Sequence, residues 1–316
     1  MLVPYPKPHL SIRDQLALLK SRGMVVADEP RAERYLERLG YYRLSGYWYP
    51  ARIVTTATDV AGNITYQVQD TFRTGTTFEH AVELYVFDKR LRLLFLDAIE
   101  RIEVSLRVEA SLLLSTRNPI AHRDPNQLHG NFAKKTNPHT GRTRHQEWLA
   151  RLDESTARSK EDFVQRFQSK YSSPLPMWIA IELWDFGALS HFISGMRYGD
   201  TNTLAAKYGI PRAELLTSWV RTLNHVRNVS AHHSRLWKSA LPGELANLDH
   251  LFSDRHAQNR VYAAAAITQH FMRTVIPHST WPARFKSLAG SFPPGPGFDL
   301  RQAGFPPGWE NLPLWN

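Results

Sequence analysis

From Phe78 to about Ser115 nothing in the chain breaks a helical pattern, and this run constrains the possible folds more than any other feature. Tyr85, Phe87, Leu91, Leu94, Phe95, Ile99, Ile102, Leu106 and Leu113 recur through it at helical spacing. Thr76 and Glu79 stand in front of it with the spacing of a capping box. One long helix is expected, or two nearly collinear ones.

Shorter helical patterns surround it. Ser11 and Asp14 cap a helix over Ile12 to Arg22 that Gly23 stops, and Asp28 caps a second over Pro30 to Leu39 that Gly40 stops. Further helices are expected over His145 to Ala157, Lys160 to Tyr171 and Gln258 to Thr274. An apolar helix with a glycine interruption is expected from Leu175 to Ser190. Arg52 to Val54 and Ile64 to Val68, separated by Gly62-Asn63, read as a hairpin, the one convincing β signal. The pattern divides the chain into 1-75, a helical core over 76-290, and a Pro/Gly-rich tail over 291-316 whose Phe305, Trp309 and Trp315 are expected to lie against the body.

At 316 residues the chain can bury a large core without staples. It has no cysteine, which excludes disulfides and thiolate metal sites and suits a reducing cytosol. Its first residues do not read as a secretory signal and no apolar run approaches the ~20 residues of a membrane span, so a cytoplasmic protein without membrane contact is expected. A net charge of +10, from 39 Lys plus Arg against 29 Asp plus Glu, favours a polyanionic partner such as nucleic acid.

The chemistry concentrates in Arg227-Asn228-Val229-Ser230-Ala231-His232-His233-Ser234-Arg235-Leu236-Trp237, at the end of an amphipathic helix over about 211-234. At roughly 100° per residue, Leu215, Leu216, Trp219, Val220, Leu223 and Val226 share one face. Arg221, Asn224, His225, Asn228, His232 and Arg235 share the other, and His233 turns back toward the apolar side. A histidine can move protons near neutral pH, an arginine can hold a phosphate, and an asparagine can orient either. That set suits RNA backbone cleavage with the 2′-hydroxyl as nucleophile and no metal or other cofactor. A polar face making structural hydrogen bonds is the alternative. Within one helix Arg227 and His232 do not aim at one atom, so a second copy or a distorted helix end would have to complete the site. His225, His232 and His233 lack an acidic neighbour at ligand spacing, which argues against zinc hydrolysis.

Arg227-Asn228-x3-His232 resembles the Arg-x4-6-His signature of the HEPN superfamily. With His-Ser-Arg-Leu-Trp attached, it is similar to the AbiD/AbiF-type abortive-infection (Abi-like) family of bacterial phage-defence proteins. Similar blocks occur in the family's order: Leu44-Ser45-Gly46-Tyr47-Trp48, Leu84 to Arg92, Ile99 to Arg107, Leu175 to Ser190 and the Gly304 to Trp315 ending. The resemblance implies a mainly α protein with a HEPN-like bundle in its C-terminal half. It also implies a metal-independent endoribonuclease of phage defence or a toxin-antitoxin pair, working as a homodimer. Arg227 and His232 would be catalytic, with Asn228 orienting them; related proteins are also linked to small structured RNAs.

Outside the motif, Arg235 and Arg221 are candidate phosphate contacts, and His233 and Glu182 rank second. Glu182 lies among apolar residues and calls for a partner, for which an arginine of the motif helix is a candidate. Arg43, Tyr47 and Trp48 could stack and hold RNA or could seal the core. Lys134, Lys135, Arg142 and Arg144 lie on an expected exposed loop. Arg117 to His122 repeats the motif's spelling, but Pro119 would disrupt a helix there. Two other readings stay open, a non-catalytic RNA-binding protein and a phage-sensing interaction module.

Overall fold

The computed structural model describes residues 8-58, 62-241 and 259-316. Its helices, in chain order, are α1 Ile12–Ser21, α2 Glu29–Leu39, α3 Tyr41–Trp48, α4 Phe78–Ser115, α5 Gly130–Ala133, α6 Arg144–Arg158, α7 Asp162–Lys170, α8 Met177–Ala180, α9 Phe186–Gly195, α10 Tyr198–Lys207, α11 Ala213–Ala231, α12 Val261–Val275 and α13 Trp281–Gly290. Strands β1 Arg52–Thr58 and β2 Ile64–Phe72 form one antiparallel hairpin, with Arg52 opposite Phe72 and Thr58 opposite Ile64. The protein is mainly α. The first seven residues and the expected helix start at Gln258 lie outside the described residues.

The long helix is continuous, and it is the rod on which the other elements are laid. α3, α8, α9, α10, α11, α12 and α13 all pack against α4, so it is buried on most of its circumference rather than on one stripe. That is why Asp88, Arg92, Glu103 and Ser111 are buried among its leucines and phenylalanines. Its cap falls one residue later than the spacing suggested. Thr77 accepts from the His80 N–H, while the Thr76 hydroxyl donates to the Arg73 carbonyl.

One helix joins those expected and two local expectations change. The aromatic run after Gly40 is a helix, α3, because Leu44, Tyr47 and Trp48 find burial against α4 that outweighs the weak helix preference of its tyrosines and Gly46. The apolar helix after Pro176 is broken not by Gly187 but before it: the chain extends at Trp184 and Asp185, whose carboxylate accepts the Ala188 N–H and starts α9. The hairpin strands run further than expected, since their threonines and glutamines are exposed and carry no period-2 burial pattern.

The ending closes the far side of the core. Trp315 stacks on Phe285 of α13 at 5.1 Å, and its indole N–H donates to the Tyr262 hydroxyl of α12 at 3.1 Å. Among the described residues no helix is long and apolar enough to cross a membrane.

Candidate functional site at the end of α11

α11 buries Leu215, Leu216, Trp219, Val220, Leu223 and Val226, the face that the helical wheel assigned to the core. It stops at Ala231, earlier than expected, and the way it stops decides where the histidines go. The Ser234 N–H reaches the Val229 carbonyl at 2.9 Å and the His233 N–H reaches the Ser230 carbonyl at 3.1 Å. This pair of bonds is a Schellman turn with His233 in the position that glycine favours. His233 has φ 56°, in the left-handed region. Past His232 the wheel no longer applies, so His233 does not turn back to the apolar side; both imidazoles are exposed.

The segment that follows is pinned from below. Asp88 Oδ1 accepts the N–H groups of Leu236 at 3.0 Å and Trp237 at 2.7 Å. The other carboxylate oxygen accepts from the Tyr47 hydroxyl at 2.8 Å and from Arg92, which also donates to the Ser234 carbonyl at 3.2 Å. Burial pushes the Asp88 carboxyl up, and these donors pull it back toward ionisation. From α3, Arg43 donates to the His233 carbonyl at 2.9 Å, and Arg235 donates back to the Gly46 carbonyl. A Cβ on Gly46 would collide with the Arg235 guanidinium. Asp88 and Arg92 had no assigned role in the sequence.

The other wall lies around Arg227, which is half-buried and donates to Asn228 Oδ1 at 3.3 Å. Glu103 of α4 faces both Arg107 and the charge of Arg227; burial pushes its carboxyl up and the two guanidiniums draw it down. Arg107 donates to Glu103 and to the Trp184 carbonyl, tying α4 to the turn before α9. Across that turn, Asn224 Oδ1 is buried with no hydrogen-bond partner among the described residues, and a Cβ on Gly187 would sit 3.9 Å from its amide. Glu182 is half-exposed and lies 3.9 Å from Arg107, not from an arginine of the motif helix. Arg221 is exposed, with no ion pair among the described residues.

The candidates elsewhere separate by burial. Tyr47 and Trp48 are 0% and 1% exposed, so neither can stack an unpaired base; their rings seal α3 onto α4. Lys134, Lys135, Arg142 and Arg144 are exposed, though not on a plain loop. Lys134 and Lys135 follow α5, Arg142 lies on a turn closed by the Asn137 N–H to Arg142 carbonyl bond, 2.8 Å, and Arg144 is the first residue of α6. In the Arg117 to His122 repeat of the motif's spelling, Arg117 makes a two-pronged pair with Asp200 at 2.7 and 2.8 Å. His122 is buried, and neither ring nitrogen has a partner among the described residues.

That burial has a pH consequence. Desolvation, helped by Arg123 and His145, pushes the His122 imidazole down to about 3. The unfolded chain therefore binds this proton first as pH falls below ~6.5. The stability His122 contributes is present above that pH and is lost progressively toward pH 3, by up to about 1.4 kcal/mol per unit. Urea denaturation between pH 7 and 5 is expected to show this slope, and His122→Phe to flatten it.

A family model described as Abi-like protein matches residues 34-238, from within α2 to just past Trp237. No curated protein and no solved structure matches the chain.

Proposed function

The chain belongs to the Abi-like protein family, and from that premise we propose that the end of α11 is a HEPN-type, metal-independent endoribonuclease site serving phage defence by abortive infection or a toxin-antitoxin pair. The observation that carries the reading is the pairing of a held Arg227-Asn228 with an exposed His232 at the last turn of one helix. In the reaction a base removes the 2′-hydroxyl proton, O2′ bonds to phosphorus, the bond to O5′ breaks and O5′ takes a proton. The products are a 2′,3′-cyclic phosphate, or the 3′-phosphate that water makes from it, and a 5′-hydroxyl. His232 handles the proton, Arg227 offsets charge on the phosphorane oxygens and Asn228 orients Arg227.

Arg227 is held inward by Asn228 while His232 lies exposed past the helix end, so one copy does not aim both at one phosphate and the site is completed by a second copy. α4 offers a face for it. Val104, Val108 and Leu112 are 52%, 47% and 61% exposed at successive helical turns. Arg107 borders that stripe on the side of Glu103 and the Arg227 pocket. Val104→Asp with Val108→Asp is expected to convert a dimer to a folded monomer in analytical ultracentrifugation and to abolish cleavage; a variant that still dimerises refutes this face. Arg221, Lys134, Lys135, Arg142 and Arg144 provide cations for the substrate or for a bound small structured RNA.

The test is incubation of wild type and His232→Ala with labelled single-stranded RNA in EDTA. Cleavage by wild type alone, leaving 5′-hydroxyl ends, supports the nuclease. A 5′-phosphate product or a requirement for divalent metal refutes it. Retained RNA affinity without His232-dependent cleavage would make the protein an RNA-binding one.

A further inference from the structure

A cleft of about 520 Å³ lies between α6 and α9. The volume falls within the usual range for small-ligand sites. α6 presents Arg144, Trp148 and Arg151 to it at positions i, i+4 and i+7, one face of a helix. His191 of α9 and His129 stand among the other walls, and Trp184 contributes to the lining.

The charges of α6 divide into two groups. Asp153 is taken by Arg123 in a two-pronged pair at 2.7 and 3.0 Å, and Glu154 lies 3.5 Å from Arg158. Arg144 and Arg151 are exposed and have no ion pair or hydrogen bond among the described residues. Two guanidiniums left free toward one concavity suit a phosphate, which accepts from such forks at both edges. The cleft also holds carboxylates. Asp185 is occupied in capping α9, while Glu147 accepts, among the described residues, only from the Thr140 hydroxyl at 2.8 Å and keeps acceptor capacity. With neutral histidines the formal charge is balanced, so a bare anion gains little, whereas a ligand carrying a phosphate and a hydrogen-bond-donating edge matches both signs. The exposed imidazoles of His129 and His191 can stack a ring.

We propose that this cleft binds one nucleoside monophosphate unit, its phosphate on Arg144 and Arg151 and the donor edge of its base, such as that of guanine, on Glu147. The unit comes either as a free nucleotide or as one residue of an RNA strand. The cleft also touches the motif helix indirectly, because Asp185 and Gly187 line it and Gly187 lies against Asn224 of α11. The cleft is thus placed to hold a nucleotide against a neighbour of the helix that carries the motif, and it stands on its own whether or not the chain cuts RNA.

Calorimetric titration of the full-length His232→Ala chain with guanosine 5′-monophosphate, inorganic phosphate and a guanosine-containing RNA tetramer tests this. One molar equivalent of the monophosphate is expected to bind, with inorganic phosphate at least ten-fold weaker. Arg144→Ala and Arg151→Ala should each weaken binding about ten-fold, and Glu147→Gln should erase the preference over inorganic phosphate. Arg166→Ala, an equal loss of charge on α7, should change nothing. Binding of both monophosphate and tetramer identifies a free nucleotide as a sufficient source; binding of the tetramer alone, lost in the arginine variants, identifies the strand. Absence of both, binding indifferent to the two arginines, or phosphate binding as tightly as the nucleotide overturns the proposal. Because the readout is heat in a chain lacking His232, failure here leaves the nuclease reading untouched, and failure of cleavage leaves this one untouched.

Discussion

Asp88→Ala is expected to cost the protein about 3–5 kcal/mol, the scale of removing one partner from a buried ion pair. The carboxylate is 0% exposed and receives the Tyr47 hydroxyl, Arg92 and the N–H groups of Leu236 and Trp237. Alanine leaves a guanidinium, 5% exposed, without a counter-charge, and it orphans two backbone donors whose desolvation has already been incurred. Urea denaturation followed by circular dichroism measures the loss. Asp88→Ala with Arg92→Met is expected to recover part of it, since a buried pair replaced by apolar groups is often close to neutral. A cost below about 1 kcal/mol for Asp88→Ala would mean that the segment after α11 is held by the apolar packing of Leu236 and Trp237 alone. The variant should also lose cleavage while folded, because the carboxylate fixes the backbone four residues beyond His232.

The parts of the fold legible in the sequence were those decided within a few residues. α4 keeps its expected bounds because its run lacks breakers, and α1 and α2 start at Ser11 and Asp28 because those side chains accept the N–H groups of Asp14 and Arg31. The apolar face of α11 was equally plain. α10 was missed: its Tyr198-Gly199-Asp200-Thr201 start is polar, and the partner of its buried Asp200, Arg117, stands 83 positions away. The site divides in the same way. Arg227, Asn228 and His232 stand together in sequence, whereas Asp88, Arg92 and Glu103 look like ordinary i,i+4 surface pairs with arginine. A signal was present for Asp88, which shares a helical face with Leu84, Leu91 and Phe95, all buried. The Schellman turn was hidden because its left-handed residue is histidine and not glycine.

His232→Ala is expected to lower the rate of RNA cleavage by 10²–10⁴-fold, the range for a lost general acid or base, with little change in stability because the side chain is exposed. His233 needs a different control from alanine. At φ 56° any β-carbon is strained, so His233→Gly removes the imidazole while relieving the backbone, and it should leave cleavage within a few-fold of wild type. Loss of cleavage in His233→Gly with retention in His232→Ala would reverse the assignment. Arg227→Lys should be nearly as damaging as Arg227→Ala, because an ammonium cannot keep the bond to Asn228, answer Glu103 and still fork around a phosphate. Mixing Arg227→Ala chains with His232→Ala chains then asks how the two residues are shared. If each centre takes its arginine from one copy and its histidine from the other, a mixed dimer holds one intact centre, and about a quarter of wild-type activity returns on random exchange of subunits. If both come from one copy, none returns. The helix end favours the first result: Arg227 is drawn inward toward Glu103 and Asn228, while the chain turns away at His232 and leaves its imidazole facing outward, where a second copy would stand.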